Sequence, residues 1–461
     1  MLDRLKKVIG NSEQWTEIRY HSRDLTSIEI KNGEVTKTEA TTLAGAGIRC
    51  LVDGCWGFAA TADVSEDGLK QALKEAAGAA RTGSSLRKKK IDELATGKPA
   101  RGEFNYTGGE EEPGLAEKIS KFLEAEEYIR KNENMVAGII RYSRYDDQKI
   151  IVTTDGVEAK INDLKQDIGI SAVGRGEEGQ EIGSASAGVT GTWQELFSEK
   201  SLSEMVEEAV NIARTKLSAA YAQGGEYTVI LDPMLVGVLA HEAIGHTVEA
   251  DFVMSGSIVQ DKIGEKVASE KVTMIDDGTV AKTAGMTLVD DEGMSGQKTV
   301  IIEDGILKNY LHNRESAAEF DTEPRGNARA FTYRDEPLIR MTNTYIKPGK
   351  SSFEEMVSGI EEGYYLKGLG QGGQADANAE FMFGVQEAYK IENGKITEPV
   401  KGITISGQAF SVLNSVDAVG DDLKFALGRG YCGKGQPAKV DAGGPHLRCQ
   451  VKIGGKQEGE K

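Results

Sequence analysis

The chain contains few cysteines and few prolines. Its 461 residues include 4 cysteines and 9 prolines, against 56 glycines. Four cysteines cannot form a disulfide framework in a chain of this length, and no Cys-x-x-Cys pair occurs. We therefore expect free thiols and a reducing, cytoplasmic location. Turns are expected to depend on glycine, which adopts positive φ readily, more than on proline.

Long apolar runs and an excess of positive charge are also absent. No stretch of about 18 apolar residues occurs, and the first residues, MLDRLKKVIGNSEQW, lack the apolar core of a signal peptide, so we expect neither a membrane span nor export. Lys and Arg total 55 against 73 Asp and Glu, which gives a net charge of −18. Because phosphate neutralisation supplies much of the affinity for nucleic acids, this deficit predicts no direct nucleic-acid binding and disfavours anionic membranes.

The order of the helix and strand patterns predicts an α+β fold with three regions, residues 1–112, 113–222 and 223–461. The first two are predicted to be N-terminal and middle α/β regions. The third is predicted to be a larger, β-rich C-terminal domain, because many short strands there alternate with glycine turns. Asn32-Gly33 and Asp53-Gly54 predict tight hairpins in the first region.

The most informative stretch is AHEAIGHTVEAD, at residues 240–251. It carries His241, Glu242 and His246 on a predicted helix that begins after Asp232, a good N-terminal cap; we call it the motif helix. Its residues are apolar nearly all round, which predicts that the motif helix is buried. Buried histidines and glutamates need polar partners, so this stretch is a candidate binding site.

The spacing of the two histidines decides whether they can share a metal ion. His241 and His246 are five residues apart, so in an α-helix they point about 140° from one another and cannot converge. A π-turn of about 4.4 residues would reduce the offset to roughly 50°, and π-bulges are frequent at functional sites. Gly245 would ease such a distortion. The alternative is a pair of core histidines with ordinary hydrogen bonds.

A catalytic zinc site needs three protein ligands and an open position, so a third ligand is required. Glu249 is near in sequence and could be that ligand or could orient His246 from behind. Two further histidines lie in loop-like segments that are typical of the protein surface. Cys432 lies in the glycine-rich GRGYCGKGQP, where close packing could hold a thiol at a site or simply bury it beside a turn. The candidates are therefore Glu249, His312, His446 and the cysteines.

Several long segments complete the pattern around this motif. They are VLAHEAIGHTVEAD, DKIGEKVASEKVTMIDDG, LVDDEGMSGQKTVIIEDGILKNYL, GNARAFTYRDEPLIRMTNTYIKPG, GLGQGGQADANAEFMFGVQEAYKI, GYCGKGQP and, near the N-terminus, GIRCLVDGCWGFAAT. Together they resemble the TldD branch of the TldD/PmbA metalloprotease family over nearly the whole chain. The segment after Cys432 departs from that pattern, because it is shorter and more basic and carries an extra Cys449.

The resemblance implies a zinc peptidase that hydrolyses peptide bonds in unfolded or short polypeptides. It implies that His241, His246 and Cys432 hold Zn²⁺ and that Glu242 is the general base. The alternative is a non-catalytic modulator or binding protein in which zinc is structural and the motif helix supports assembly with a partner. The presence of Glu242 favours the enzyme, since a structural site has no use for a base beside its ligand.

The resemblance also implies how substrate and partner bind. Unfolded peptide is expected to bind as an added β-strand inside an enclosed dimer, whose second chain is either another copy or a PmbA-type chain. Thr342, Asn343 and Thr344, in MTNTYIKPG, are predicted to bind substrate along that channel, and GLGQGGQADANAEF is a second predicted wall. Both segments could equally be ordinary strands and turns.

Overall fold

The computed structural model describes residues 1–10, 12–106, 112–375 and 379–455, with side chains up to residue 370 in the third of these ranges. The fold is α+β, as predicted, because helices and mainly antiparallel sheets follow one another without a regular βαβ alternation. Among the described helices, none combines the length and the apolar character needed to cross a membrane.

The first half of the chain forms a seven-stranded sheet. Its strands are β1 (Trp15–Lys31), β2 (Glu34–Val52), β3 (Cys55–Thr61), β4 (Arg101–Asn105), β5 (Met135–Thr153), β6 (Glu158–Gly176) and β7 (Gly179–Thr190). Their order is β3-β2-β1-β5-β6-β4, and β7 pairs with β6. Tight turns with positive φ at Asn32-Gly33 and Asp53-Gly54 join the first three strands, which confirms the two predicted hairpins.

Helices pack on this sheet and bury two apolar clusters against it. The helices are α1 (Leu2–Ile9), α2 (Glu66–Ser84), α3 (Leu115–Lys131), α4 (Trp193–Leu196) and α5 (Leu202–Ser218). Serine caps explain where α2 and α5 begin, because the side chains of Ser65 and Ser201 accept hydrogen bonds from backbone N–H groups of the first turn.

The seven-stranded sheet runs across the predicted boundary between residues 112 and 113. β1, which precedes that boundary, pairs with β5, which follows it, along the stretch from Glu17 to Lys31. Elements of both predicted regions therefore share one sheet. The division at this position remains a prediction from sequence.

The second half of the chain contains sheets of six and eight strands and two short two-stranded ladders within the described residues. The strands are β8 (Ala220–Tyr221), β9 (Gly225–Leu231), β10 (Met274–Asp277), β11 (Lys298–Glu303), β12 (Ile306–Leu307), β13 (Ala328–Arg329), β14 (Leu338–Ile339), β15 (Asn343–Ile346), β16 (Glu362–Ala375), β17 (Glu380–Glu392), β18 (Lys395–Lys401), β19 (Thr404–Gln408), β20 (Ala418–Val419), β21 (Lys424–Phe425), β22 (Tyr431–Gly433), β23 (Pro437–Lys439), β24 (Asp441–Gly444) and β25 (Leu447–Gly454). The α-helices are α6 (Pro233–Val238), α7 (Ala250–Met254), α8 (Arg314–Glu319), α9 (Phe353–Ser358) and α10 (Ala409–Asn414).

The motif helix lies between the eight-stranded sheet and the six-stranded sheet. The eight-stranded sheet has the order β16-β9-β25-β19-β17-β18-β8, and β16 also pairs with β17, so five of its strands form a closed ring. The six-stranded sheet has the order β12-β11-β10-β15-β24-β21. The motif helix contacts β15 and β24 of the six-stranded sheet and β16 and β17 of the eight-stranded sheet. Its apolar side chains belong to the large buried cluster of this half, which confirms the predicted burial.

Candidate metal centre

The motif helix is distorted at the position where the histidine spacing requires it. It begins as α6, with the side chain of Asp232 accepting a hydrogen bond from the N–H of Leu235 at 2.9 Å. It continues as a π-helix over Leu239–Gly245 and ends as a 3₁₀-helix over His246–Val248. The predicted π-distortion is confirmed, and the two imidazole rings lie 5.5 Å apart, centroid to centroid.

Gly245 permits a close approach at the end of the π-helix. A Cβ atom at this position would collide with the sulfur of Met341, which packs directly against the helix. A larger residue would force the buried Met341 side chain to move. Packing, and not backbone conformation, therefore favours glycine here, since the residue itself has ordinary helical φ and ψ.

Cys432 reaches the two histidines from a hairpin far along the chain. It lies on β22, opposite Ala438 of β23, and its Sγ is 3.2 Å from Nε2 of His246, a residue 186 positions earlier. Donor atoms of His241, His246 and Cys432 all lie within 4.8 Å of one another. His241 and Cys432 are almost fully buried. The structure thus brings together the three residues that the family resemblance implied as ligands.

The two histidines favour the thiolate form of Cys432. Burial by itself raises the pKa of the Cys432 thiol, but the neighbouring His241 and His246 outweigh it and lower the pKa to about 4. Burial lowers the pKa of His246, yet hydrogen bonds to Cys432 and Glu249 raise it to about 10. The cysteine is therefore held as a thiolate, which is the form that binds metal.

His241 provides a direct test of whether a metal fits. Its ring is 1% exposed, and neither Nδ1 nor Nε2 has a hydrogen-bond partner in the described part of the chain. An unpartnered buried imidazole is costly, and a cation bound at one ring nitrogen would remove part of that cost. Two imidazoles and one thiolate are a donor set that suits zinc. The residues present therefore fit a zinc ion.

Glu249 lies on the opposite side of the His246 ring from Cys432. Its Oε2 is 3.0 Å from His246 Nδ1, whereas the Cys432 sulfur faces Nε2. Glu249 is fully buried, and the same oxygen accepts a hydrogen bond from Lys434 at 3.0 Å. A carboxylate on the second ring nitrogen fixes the orientation and tautomer of a ligating histidine. Of the two roles that the sequence left open, the geometry favours orientation of His246 over ligation.

We expect Glu249→Gln to weaken zinc binding without removing a ligand. The amide has the same shape but loses the charge that holds His246, so zinc affinity should fall about 10–100-fold. Competition with a chromogenic chelator measures the affinity, and the thiolate band of the cobalt-substituted protein should persist. Unchanged affinity would show that Glu249 does not orient His246.

Two basic residues that the sequence reasoning missed hold the Cys432 hairpin in place. Lys434, in the turn of the hairpin, donates to the carboxylates of Glu249 and Asp251 at 3.0 and 2.8 Å. Arg340 is fully buried and donates to the carbonyl oxygens of Cys432 and Gln436. The position of Lys434 inside the glycine-rich segment was a sequence signal for its role. Nothing near Arg340 in the sequence indicated that it contacts the hairpin.

Glu242 is placed differently from the three candidate ligands. Its side chain is 39% exposed, and its Oε2 lies 3.8 Å from Nε2 of His246. The carboxylate therefore stands at the solvent side of the group, near the ring nitrogen that faces Cys432. This position is compatible with the general-base role that the resemblance implied.

The other two candidate histidines do not join the group. The imidazole of His312 is buried and 3.1 Å from the hydroxyl of Ser316, and burial lowers its pKa to about 4. His446 lies between Asp422 and Tyr365, with contacts of 2.5 and 2.9 Å. The expectation that both are surface residues is wrong, because packing buries His312 and leaves the His446 side chain only 14% exposed.

Thr342, Asn343 and Thr344 occupy an internal strand position. All three are buried, and Asp276 accepts hydrogen bonds from both threonine hydroxyls, at 2.9 and 3.0 Å. β15 pairs with β10 at one edge and with β24 at the other, so its backbone is not open to an added strand. The structure gives the predicted substrate-binding role no support. The second predicted wall, GLGQGGQADANAEF, lies partly outside the described residues.

Three family models match successive parts of the chain. They describe the first domain, the central domain and the C-terminal domain of PmbA/TldA metallopeptidases, and they match residues 16–80, 109–217 and 224–455. Fold, site and matches together define the class of the protein, a metallopeptidase. The chain belongs to the PmbA/TldA metallopeptidase family.

Individual relatives extend over the whole chain. A metalloprotease of Methanothermobacter thermautotrophicus is 34% identical over 97% of both chains. A zinc metalloprotease TldD homolog of Saccharolobus solfataricus is 32% identical over 99% of this chain and 100% of its own. The solved structure of TldE from Thermococcus kodakarensis superposes with a TM-score of 0.77 at 21% identity, covering 98% of this chain and 99% of that one. At that identity the structural likeness shows the fold alone.

Proposed function

We propose that this metallopeptidase is zinc-dependent and cleaves unfolded or short polypeptides. In this proposal His241, His246 and Cys432 hold the zinc ion and Glu242 is the general base. The observation that carries it is the convergence of three donor atoms within 4.8 Å beside an exposed carboxylate. The relative from Saccharolobus solfataricus, named as a zinc metalloprotease, supports the choice of metal.

The chemistry divides between the metal and the side chains. Zinc, when bound, supplies a Lewis acid that makes water more acidic and polarises a carbonyl group. Glu242 accepts the proton of the attacking water and delivers it to the leaving amine. Glu249 holds the His246 ring through Nδ1, which leaves Nε2 free to face the metal. Lys434 fixes Glu249 in turn.

Two features favour catalysis over a purely structural zinc. Structural zinc sites usually have four protein ligands, whereas catalytic sites keep one position open. The group among the described residues contains three, His241, His246 and Cys432. The exposed Glu242 borders the open side, where a non-catalytic modulator would have no need of a carboxylate.

We also propose that the active species is a dimer, formed with a second copy or with a PmbA-type chain. Phe252, Met254 and Ile263, which follow the motif helix in sequence, are each more than 40% exposed although apolar. In the proposed dimer, the second chain would cover these exposed apolar side chains. Because His241 and Cys432 are buried, an extended chain would reach the site more readily than a folded domain.

The experiment that tests this function compares an unfolded and a folded substrate. Purified protein should cleave a quenched fluorescent peptide and reduced, unfolded casein, but not a stably folded domain. Treatment with a zinc chelator should abolish cleavage, and one equivalent of zinc should restore it. Light scattering on the same sample should give twice the mass of one chain, or that of a pair with the partner.

Rapid digestion of the folded domain by a monomer would overturn the proposals of an unfolded substrate and an enclosed dimer. Full activity after complete removal of zinc would overturn the proposed metal dependence. The two results are independent of one another, since the first concerns access to the site and the second concerns its chemistry.

A further inference from the structure

A small cavity lies between the seven-stranded sheet and the Cys432 hairpin. Its volume is about 40 Å³, and it is bounded by residues of β5 and β6 on one side and by residues of β13, β22 and β23 on the other. A space of this size holds roughly three water molecules or one small oxyanion. The cavity is separate from the group formed by His241, His246 and Cys432, because none of these three lines it.

Positive charge predominates in the lining of this cavity. Five of the side chains are cationic: Arg23, Lys149, Lys165, Arg329 and Lys439. Three are carboxylates: Asp147, Asp163 and Asp291. Five against three leaves an excess of two positive charges, although the protein as a whole carries a net charge of −18. A local excess of cations in an acidic protein needs a counter-charge.

Ion pairs inside the lining already use two of the three carboxylates. Arg23 binds Asp147 through two hydrogen bonds, of 2.7 and 2.6 Å. Lys149 donates to Asp291 at 2.8 Å. Lys439 is paired elsewhere, with a carboxylate that lies outside the lining. Two cations therefore remain without a close carboxylate partner.

Those two cations are Arg329 and Lys165. Arg329 donates to the carbonyl oxygens of Met341 and Lys439, and no carboxylate among the described residues lies within ion-pair distance of it. Lys165 is 6% exposed and donates to the neutral oxygens of Thr190 and Met286, at 2.8 Å each, while its contact with a carboxylate is a long one, 3.5 Å to Asp163. Buried cations with little or no ionic pairing are costly, so an anion between Arg329 and Lys165 would be stabilised.

Asp163 makes only a long contact with Lys165. Its nearest oxygen is 3.5 Å from Lys165 Nζ, and Oδ1 has no hydrogen-bond partner in the described part of the chain. Burial raises the pKa of Asp163, which favours its neutral form, and burial lowers the pKa of Lys165 to about 8. Both shifts are those of groups whose charge the protein itself does not fully compensate.

The cavity lies behind the metal-binding hairpin. Tyr431 and Lys439 face each other across the hairpin, next to the pair formed by Cys432 and Ala438. Because side chains alternate along a strand, those of Tyr431 and Lys439 point away from the face that carries the sulfur. An occupant of the cavity would thus contact the face of the hairpin opposite to the Cys432 sulfur.

We propose that this cavity binds a small free oxyanion between Arg329 and Lys165, and that the bound anion steadies the hairpin that carries Cys432. The site goes beyond the proposed peptidase function, since binding of the anion requires neither zinc nor substrate. Its consequence for that function is tighter zinc binding when the anion is present.

Sulfate and selenate are suitable probes because both are small tetrahedral oxyanions. In the chelator-treated full chain, millimolar sodium sulfate should raise the midpoint of thermal unfolding in a saturable way, compared with sodium chloride at equal ionic strength. Crystals soaked in selenate should show an anomalous peak between Arg329 and Lys165. Zinc affinity, measured by chelator competition, should be roughly threefold or more higher in sulfate.

Three variants make the test specific. Arg329→Gln and Lys165→Met should each lose the saturable response to sulfate, and Lys165 has the advantage that it makes no contact with the hairpin backbone. Arg141→Gln is the matched control, because Arg141 is an exposed arginine paired with Glu29 on the sheet surface, and its response should equal that of the parent.

The results that overturn the proposal are equally clear. Absence of a selenate peak, together with the same sulfate response in all four proteins, would show that the cavity holds water only. A selenate peak with unchanged zinc affinity would overturn the link to the hairpin. Loss of peptidase activity plays no part in these measurements, so failure of the proposed function would not imitate either result.

Discussion

Replacing Cys432 by serine is expected to remove most of the bound zinc and nearly all peptidase activity. The sulfur is 3.2 Å from His246 Nε2 and is the only thiol in the three-residue group of the described chain. A hydroxyl at this position stays protonated at neutral pH and is a poor ligand, so zinc affinity should fall by more than the roughly 10–100-fold that loss of an outer partner causes.

Metal analysis and cobalt substitution measure this effect directly. The cobalt-substituted parent should show a thiolate-to-metal charge-transfer band, and the Cys432→Ser protein should lack it. Cys50→Ser and Cys55→Ser are the controls. Both residues are buried, so serine there is expected to lower stability while zinc content and the cobalt band stay unchanged. Full zinc occupancy and activity in Cys432→Ser would overturn the proposed ligand set.

Glu242→Gln should separate metal binding from catalysis. The side chain is 39% exposed and is not one of the three proposed ligands. About one zinc per chain should therefore remain bound. The amide cannot accept the proton of the attacking water, and hydrolysis of an unfolded peptide should fall at least roughly a hundredfold. The measurements are zinc content and the initial rate of peptide cleavage.

Glu265→Gln is the matched control for Glu242→Gln, because it removes the same charge from an exposed glutamate farther along the chain. It should keep the parental rate. If Glu242→Gln cleaves peptide as fast as the parent does, the general base has been assigned to the wrong residue. If it instead loses its zinc, the carboxylate contributes to binding rather than to proton transfer.

Local features of this protein could be predicted from the sequence because short-range rules determine them. The Asn32-Gly33 turn follows from the backbone conformations that a tight hairpin needs. The cap at Asp232 follows from the unpaired N–H groups at a helix start. The π-distortion follows from geometry, since His241 and His246 can converge only if the helix has more residues per turn between them than an α-helix has.

Long-range features could not be predicted in this way. The closure of the eight-stranded sheet depends on β16 pairing with both β9 and β17, and strand patterns alone do not specify partners. The approach of Cys432 to His246 came from the family resemblance, because nothing in the spacing of residues 186 apart indicates contact. Lys434 and Arg340 were missed for the same reason. His312 was misjudged because tertiary packing decides burial in loops.

The distance along the chain between the two halves of the metal centre also determines when the protein can become active. During synthesis on a ribosome, the motif helix emerges well before the hairpin that follows 186 residues later. Until that hairpin has been made, and the contacts of Lys434 and Arg340 hold it in place, the two histidines have no thiolate partner. With the proposed ligand set, a chain therefore cannot complete its metal site, or act as a peptidase, before the Cys432 hairpin has been made.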